Sequence, residues 1–151
     1  MSIDLRLLGP GDEGVLDRIA DGVFDWPVQS RWTGEFLADA RHHMLVAVED
    51  GVVVGMVSAV DYVHPDKAPQ LWINEIGVAP SHQRRGIGRR LLDAMLAHGC
   101  TLGCTEAWVG TEEDNAAARR LYASAGSEAE PFVLFSFELT APSLVHAPPP
   151  A

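Results

Sequence analysis

Residues 82–92 read HQRRGIGRRLL, and this run constrains the chain more than any other. It follows Leu71 to Val78 (LWINEIGV), an apolar stretch whose length and composition predict a buried strand. It leads into Ile87, Leu91, Leu92, Met95 and Leu96, whose spacing predicts a helix from Gly86 to about Cys100. A helix N-terminus therefore stands just past the end of a strand. The first N–H groups of a helix lack intrahelical acceptors and carry partial positive charge. Gly86 and Gly88 let the backbone bend tightly and approach a ligand with no Cβ in the way. Arg84, Arg85, Arg89 and Arg90 add cationic charge at an end where the dipole already disfavours it. A bound anion offsets that crowding, and a pyrophosphate suits it.

Two other phosphate motifs are excluded. A P-loop needs G-x-x-x-x-G-K-[ST], and the single lysine, Lys67, is far from the loop. The dinucleotide fingerprint G-x-G-x-x-G fails because Leu91 stands where its third glycine belongs. The pattern Q/R-x-x-G-x-G/A is met by Gln83, Arg84, Arg85, Gly86, Ile87 and Gly88. With a strand before and a helix after, this segment resembles the acetyl-CoA loop of the GNAT N-acetyltransferase superfamily. Asn115 to Gly126 (NAAARRLYASAG) is similar to that superfamily's second cofactor motif, although Ser127 follows Gly126 where the family often has Phe.

Composition sets the remaining bounds. A chain of 151 residues, 47% hydrophobic and 21% charged, is read as one soluble globular domain. No apolar run reaches the roughly 20 residues of a membrane span. The N-terminus has no basic start followed by a long apolar stretch, so it does not read as a signal peptide. Cys100 and Cys104 have no histidine pair nearby, which argues for two reduced thiols and against a zinc site. A cytoplasmic protein without a metal is expected. The net charge is −10, from 21 acidic and 11 basic residues. Six of the basic residues lie in the two motif segments: Arg84, Arg85, Arg89, Arg90, Arg119 and Arg120. The rest of the surface should be negative. That disfavours nucleic acid and anionic membranes as partners and favours cationic small molecules or basic peptides.

Along the chain the pattern predicts a strand over Ile3 to Leu8, a helix from Asp12 to about Phe24 and a short helix near Thr33 to Arg41. A strand from Met44 to Val48, a hairpin at Asp50-Gly51 and a returning strand from Val52 to Val60 follow. His64 to Gln70 reads as a polar loop before the central strand. Glu106 to Gly110 is a further strand, Asn115 to Ala125 a helix closed by Gly126, and Phe132 to Leu139 a last strand. The Pro-rich tail 140–151 is expected to be disordered outside a single domain over 1–139. This order is an α+β sandwich around a mixed sheet. The resemblance implies a GNAT-like fold, a twisted mixed sheet whose fourth and fifth strands splay apart and whose faces carry helices.

The resemblance also implies roles. Backbone groups of Ile76, Gly77 and Val78 pair with the pantetheine arm of acetyl-CoA, and residues 83–89, including Arg89, hold its pyrophosphate. Asn115 hydrogen-bonds the arm, and Tyr122, about two helical turns on, is the general acid to the departing thiolate. A phenol with a pKa of about 10 suits a proton donor at neutral pH. A core aromatic is the competing reading of Tyr122. Gly77 inside a strand marks close approach of a ligand, or a bulge. Glu75 is the carboxylate of the central strand and the first candidate for general base, since apolar neighbours raise a carboxyl pKa. Alternation sets it opposite Asn74 and Ile76 without saying which face meets substrate. Asp61, His64, Glu112, Glu113, Asp114 and a water chain are its rivals.

Within the superfamily the opening RLLGPGD, the segment INEIGVAPSHQRRGIG and the finish LYASAG…FVLFSFEL resemble class I aminoglycoside 3-N-acetyltransferases. That resemblance and the acidic surface point to a polycationic sugar as acceptor, with Asp61, Glu112, Glu113 and Asp114, and further Asp25 and Asp66, as candidates to meet its ammonium groups or, in the competing reading, as solvated loop and helix-capping carboxylates. A peptide amine or small polyamine is the alternative acceptor, and a non-catalytic acyl-CoA sensor is the alternative function. By analogy with relatives, the chain pairs as a homodimer.

Overall fold

The computed structural model describes residues 2–140 and holds one five-stranded sheet in the order β1-β2-β3-β4-β5. The strands are β1 (Asp4–Leu8), β2 (His42–Glu49), β3 (Val52–His64), β4 (Lys67–Val78) and β5 (Glu106–Val109). The helices are α1 (Ser30–Ala38), α2 (Ile87–Thr101) and α3 (Ala116–Ser124). Neighbouring strands from β1 to β4 are antiparallel, and β4 pairs parallel with β5. Asp50 and Gly51 both take positive φ, 51° and 74°, as the two-residue hairpin requires.

Alternation along the strands builds two cores. Leu45, Ala47, Val57, Ala59, Leu71 and Ile73 face Ile87, Leu91, Leu92 and Met95 of α2. Met44, Val46, Val53 and Met56 face Leu16, Val23 and Leu37 on the other side. Gly55 and Gly99 let α2 lie close to the sheet. A Cβ on Gly55 would stand 3.1 Å from Ile87 and Leu91, and one on Gly99 2.9 Å from Leu71.

Three expectations need correction. The helix from Asp12 to Phe24 is only a 3-10 turn, Glu13–Asp17. Val53, paired with Val48 in the sheet, also bridges the passing chain: Val53 donates to the Arg18 carbonyl at 2.8 Å, and Ala20 donates to the Val53 carbonyl at 2.9 Å. These bonds, with Gly22 at φ 79°, outweigh the helical spacing of the apolar residues. The loop from His64 to Gln70 is mostly strand, because Tyr62 pairs with Gln70 and His64 with Lys67. Residues 132–139 form no strand at all and pair with none of the described residues. The Pro-rich tail lies outside the described residues from 141 onward.

Candidate active site

The sheet opens where the sequence resemblance places a cofactor. β4 and β5 pair only from Gln70↔Glu106 to Ile73↔Val109. Beyond Ile73, β4 runs on to Val78 with no partner on its β5 side, so backbone groups of Ile76, Gly77 and Val78 face a gap between splayed strands. A bulge stands at the opening. Ser58 pairs with Glu75 and Ala59 with Ile73, which leaves Asn74 as the extra residue. Before it Leu71 and Ile73 face α2, and after it Ile76 and Val78 pack against that same core. The bulge therefore turns Glu75 to the opposite face. Unbroken alternation would have buried Glu75 under α2.

Gly77 is a place of close approach, but by the chain itself. A Cβ there would stand 2.0 Å from the carbonyl oxygen of Val23. Gly77 thus lets the segment before Phe24 cross the strand that borders the gap.

At the end of β4 a 3-10 turn, Pro80–His82, delivers the loop to α2. Gln83 donates from Nε2 to the Val78 carbonyl at 3.2 Å, tying the loop to the strand end. Arg84 and Gly86 both sit in the left-handed region, with φ 58° and 75°. Gly86 caps α2 without any side-chain hydrogen bond, and the first helical bond runs from the Arg90 N–H to the Gly86 carbonyl. The N–H groups of Ile87, Gly88 and Arg89 are left for an anion. A Cβ on Gly86 meets nothing within 4 Å, so its glycine serves the turn and the open space above it.

The arginines divide their work. Arg85 pairs with Glu49 at 2.7 Å, and His82 bonds the same carboxylate at 2.8 Å. Those two partners hold Glu49 down to about 2. Arg89 pairs with Asp93 and donates to the Ser124 carbonyl at 2.6 Å, which joins α2 to the end of α3. Arg90 donates to the Ile3 carbonyl. Arg84 makes no hydrogen bond or ion pair among the described residues and is exposed. Much of the arginine charge thus anchors the loop, and of Arg84, Arg85, Arg89 and Arg90 it is Arg84 that is left open to a ligand.

Asn115 caps α3, its Oδ1 accepting from the Ala118 N–H at 3.1 Å. Tyr122 is half-buried and packs against the core cluster that includes Ile87 and Leu91. Burial, and then the charge of Glu112, push its phenol above the ordinary value. Glu112, Glu113 and Asp114 are exposed on the loop between β5 and α3, and only Glu112 is close enough to act on Tyr122. Asp61 is not brought to this site. It is buried, pairs with Arg41 at 2.8 Å and His43 at 2.6 Å, and His43 in turn meets His98 of α2. Asp66 and His64 bond each other at the β3–β4 turn.

A cavity of about 500 Å³ opens on the face to which the bulge turns Glu75. Phe24, Trp26, Trp32, Phe36, Leu37 and Met44 give it apolar walls, and Asp25 and Glu75 supply its carboxylates. Desolvation raises the Glu75 pKa, and the charge of Asp25 raises it further. A second cavity of about 430 Å³ adjoins it, with Asp17, Asp21 and Asp25 in its lining. The sequence reading passed over Trp26 and Trp32. Their signal was two tryptophans six residues apart, Trp26 beside Pro27 and Trp32 in the first turn of α1, and both are exposed at the cavity.

Residues 15–126 match the family model described as Acetyltransferase (GNAT) family. The chain belongs to the GNAT family. It is a GNAT-type acetyltransferase, and enzymes of this family use acetyl-CoA. Aminoglycoside N(6′)-acetyltransferase type 1 of Salmonella typhimurium is 31% identical over 107 residues, which cover 68% of this chain and 74% of the relative. Mycothiol acetyltransferase of Nocardia farcinica is 32% identical over 78% of this chain, but the match spans only 42% of that relative. In fold, the chain is similar to an aminoglycoside acetyltransferase from an uncultured soil metagenomic sample, solved with sisomicin. The TM-score is 0.81 at 20% identity, covering 91% of this chain and 97% of that one. The aminoglycoside N-acetyltransferase AAC(6′)-Iy, solved with CoA, gives a TM-score of 0.70 at 23% identity over 91% and 95%. The splay of β4 and β5, expected from the resemblance, is thus the GNAT arrangement. Among the described residues no group of His, Cys, Asp and Glu could hold a metal ion, and no helix is long and apolar enough to cross a membrane.

Proposed function

We propose that this chain moves the acetyl group of acetyl-CoA to an amine of a polycationic acceptor, an aminoglycoside. The observation that carries the reading is the aromatic-walled cavity with Asp25 and Glu75, adjoining a second cavity lined by Asp17, Asp21 and Asp25. Carboxylates in both cavities suit an acceptor with several ammonium groups. Aromatic faces suit the apolar faces of its rings and the cations between them. The 31% identity to an aminoglycoside N(6′)-acetyltransferase supports the same class and favours a 6′ amine over the 3-N position that the sequence resemblance suggested.

Acetyl-CoA supplies the activated thioester. The residues that fit it are the uncapped N–H groups of Ile87, Gly88 and Arg89, the open edge of Ile76 to Val78, and Arg84. Gln83, Arg85, Gly86 and Asn115 shape that cradle. Glu75, its pKa raised by desolvation and by Asp25, takes the proton that the acceptor ammonium must lose before its lone pair can react. Asp25 remains to hold the amine in place. Tyr122, kept protonated by its surroundings, gives a proton to the departing sulfur. Glu112 lies near Tyr122 and, with Glu113 and Asp114, forms an acidic rim at the mouth of the site. The chain works in the cytoplasm, where acetyl-CoA is made.

The test is thiol release from acetyl-CoA with a panel of aminoglycosides, polyamines and peptide N-termini. Turnover should be fastest with aminoglycosides, and their KM should rise with salt as the acidic cavities are screened. Turnover with peptides or amino acids and none with aminoglycosides would replace this acceptor while leaving the transferase chemistry in place.

A further inference from the structure

One buried polar cluster takes no part in the transfer chemistry. Asp61 of β3 accepts from Arg41 at 2.8 Å and from Nε2 of His43, on β2, at 2.6 Å. The other ring nitrogen of His43 lies 3.0 Å from Nε2 of His98, on α2. Asp61 and His43 are buried and His98 is half-buried, its ring edge-on to that of His43 at 4.7 Å between centroids. The next residue, Gly99, is where α2 lies against Leu71 of β4. The chain from Asp61 to His98 is thus a side-chain tie between the sheet and the last turns of α2.

The hydrogens of this chain follow by elimination. A carboxylate only accepts, so His43 carries a proton on Nε2. In the neutral ring Nδ1 is then bare, and His98 donates to it from Nε2. One added proton is tolerated. It enters at Nδ1 of His98, or at Nδ1 of His43 with His98 changing tautomer, and in both cases one hydrogen still lies between the rings. A second added proton is not. Both facing nitrogens would carry hydrogen, neither could accept, and two imidazolium charges would share one carboxylate with Arg41. The surroundings offer no relief. Cys104, just past α2, has its thiol raised by burial, then by Asp61 and Cys100, so it stays neutral. His42 turns to the other face of β2, towards Asp39 and Phe36. The C-terminal end of α2 favours a charge on His98, and the first proton already satisfies it.

We propose that Asp61, His43 and His98 form an acid-operated latch between α2 and the sheet. The latch stays closed with up to one added proton on the two rings, and the second opens it. Opening reaches β5 through the turn beyond His98. Cys104 donates to the Gly99 carbonyl at 3.0 Å and Thr105 to the Pro69 carbonyl at 3.1 Å, after which β5 starts at Glu106. β5 is one side of the gap between the splayed strands, so acid loosens the connection that sets that side. Desolvation, and then the charge of His43, lower the His98 pKa from the ordinary 6.5, against the pull of Asp61. The unfolded chain therefore takes up a proton below pH 6.5 that the folded chain resists, so the latch's stability is full above that pH and is lost as pH falls below it.

Thermal melts and amide exchange on the full chain at about pH 7.5 and about pH 5, either side of the histidine range, test this. His98→Gln keeps an amide that donates to His43, or accepts from it once His43 is protonated, and takes up no proton itself. Every other titrating group is common to the two proteins, so their difference isolates His98. Between the two pH values the Tm of the wild type should fall by about 2–4 °C more than that of His98→Gln, as for one net hydrogen bond. Protection of the amides of residues 102–105 should drop by at least about 5-fold in the wild type alone. His98→Leu, with no tie at any pH, should show the low protection already at the higher pH. An equal acid response of wild type and His98→Gln overturns the latch. So does a His98→Leu chain as well protected there as the wild type. If a variant fails to fold, the ring signals of the wild type decide: the second proton on the His43–His98 pair must enter below 6.5, and its entry at or above that value overturns the proposal.

Discussion

Replacing Gly77 with alanine adds one methyl group where there is no room for it. The new Cβ would stand 2.0 Å from the Val23 carbonyl oxygen and 3.1 Å from its carbon, whereas such contacts are not found below 3.0 Å. The obstacle is backbone, so no rotamer relieves it. β4 and the segment at Val23 must separate by about 1 Å, and Val23 is buried at 2% exposure, so it cannot give way freely. Overpacking of this kind costs about 1–3 kcal/mol. For a chain of this size each kcal/mol lowers Tm by about 2–4 °C, so a fall of roughly 2–12 °C is expected. The displaced segment leads directly into Phe24, Asp25 and Trp26, which line the cavity. A misplacement of about 1 Å at a reacting site can cost about 10²-fold in rate, so kcat/KM for the amine should fall along with stability. Thermal melts and thiol-release kinetics on Gly77→Ala read both effects. A variant with the wild-type Tm and unchanged kinetics would show that Val23 and β4 are not held as described.

Other substitutions separate binding, chemistry and loop anchoring. Gly86→Val forces a β-branched side chain to φ 75° in the loop and should abolish acetyl-CoA binding by calorimetry while the far-UV circular dichroism persists. Unchanged affinity would remove the loop from cofactor binding. Tyr122→Phe should lower kcat by about 10²–10⁴-fold with little change in acetyl-CoA affinity. Since burial and Glu112 raise the phenol pKa, any alkaline loss of activity from its ionisation should lie above pH 10. Wild-type turnover in that variant, with chemistry rate-limiting, would assign the proton donor elsewhere. Glu49 is depressed from 4.5 to about 2, so the stability it contributes is full above about pH 4.5 and is lost as pH falls towards 2. The Tm advantage of wild type over Glu49→Gln should shrink across that window, and a gap independent of pH would mean that the Arg85 and His82 pairs do not anchor the loop.

The motif-bearing half of the chain was legible because its signals are local. The helical spacing of Ile87, Leu91, Leu92 and Met95 and the turn chemistry of Asp50-Gly51 depend only on near neighbours, and both appear as read. The helix expected from Asp12 failed because Val53, 35 and 33 residues away in sequence, takes the backbone of Arg18 and Ala20. The direction of Glu75 was hidden for a related reason. Strict alternation gave two choices of face, and the bulge at Asn74 that decides between them is a pairing defect with no residue signature of its own. Asp61 looked like a substrate carboxylate because its partners, Arg41 and His43, come from a different part of the chain. The acceptor cavity was the least legible part. Its walls come from the 16–44 region and β4, and only folding brings Trp26, Trp32 and Asp25 to Glu75.

The most direct test of the account is mass spectrometry of an aminoglycoside incubated with acetyl-CoA and either the wild-type chain or the Asp25→Asn/Glu75→Gln variant. The account predicts one acetyl group added by the wild type, on a single amine, and a loss of at least about 10²-fold in its rate of appearance with the variant, as expected for removal of a general base. An unmodified drug, from a preparation that releases thiol with some other amine, would contradict the assignment of the acceptor. Equal acetylation by both proteins would contradict the roles given to Asp25 and Glu75.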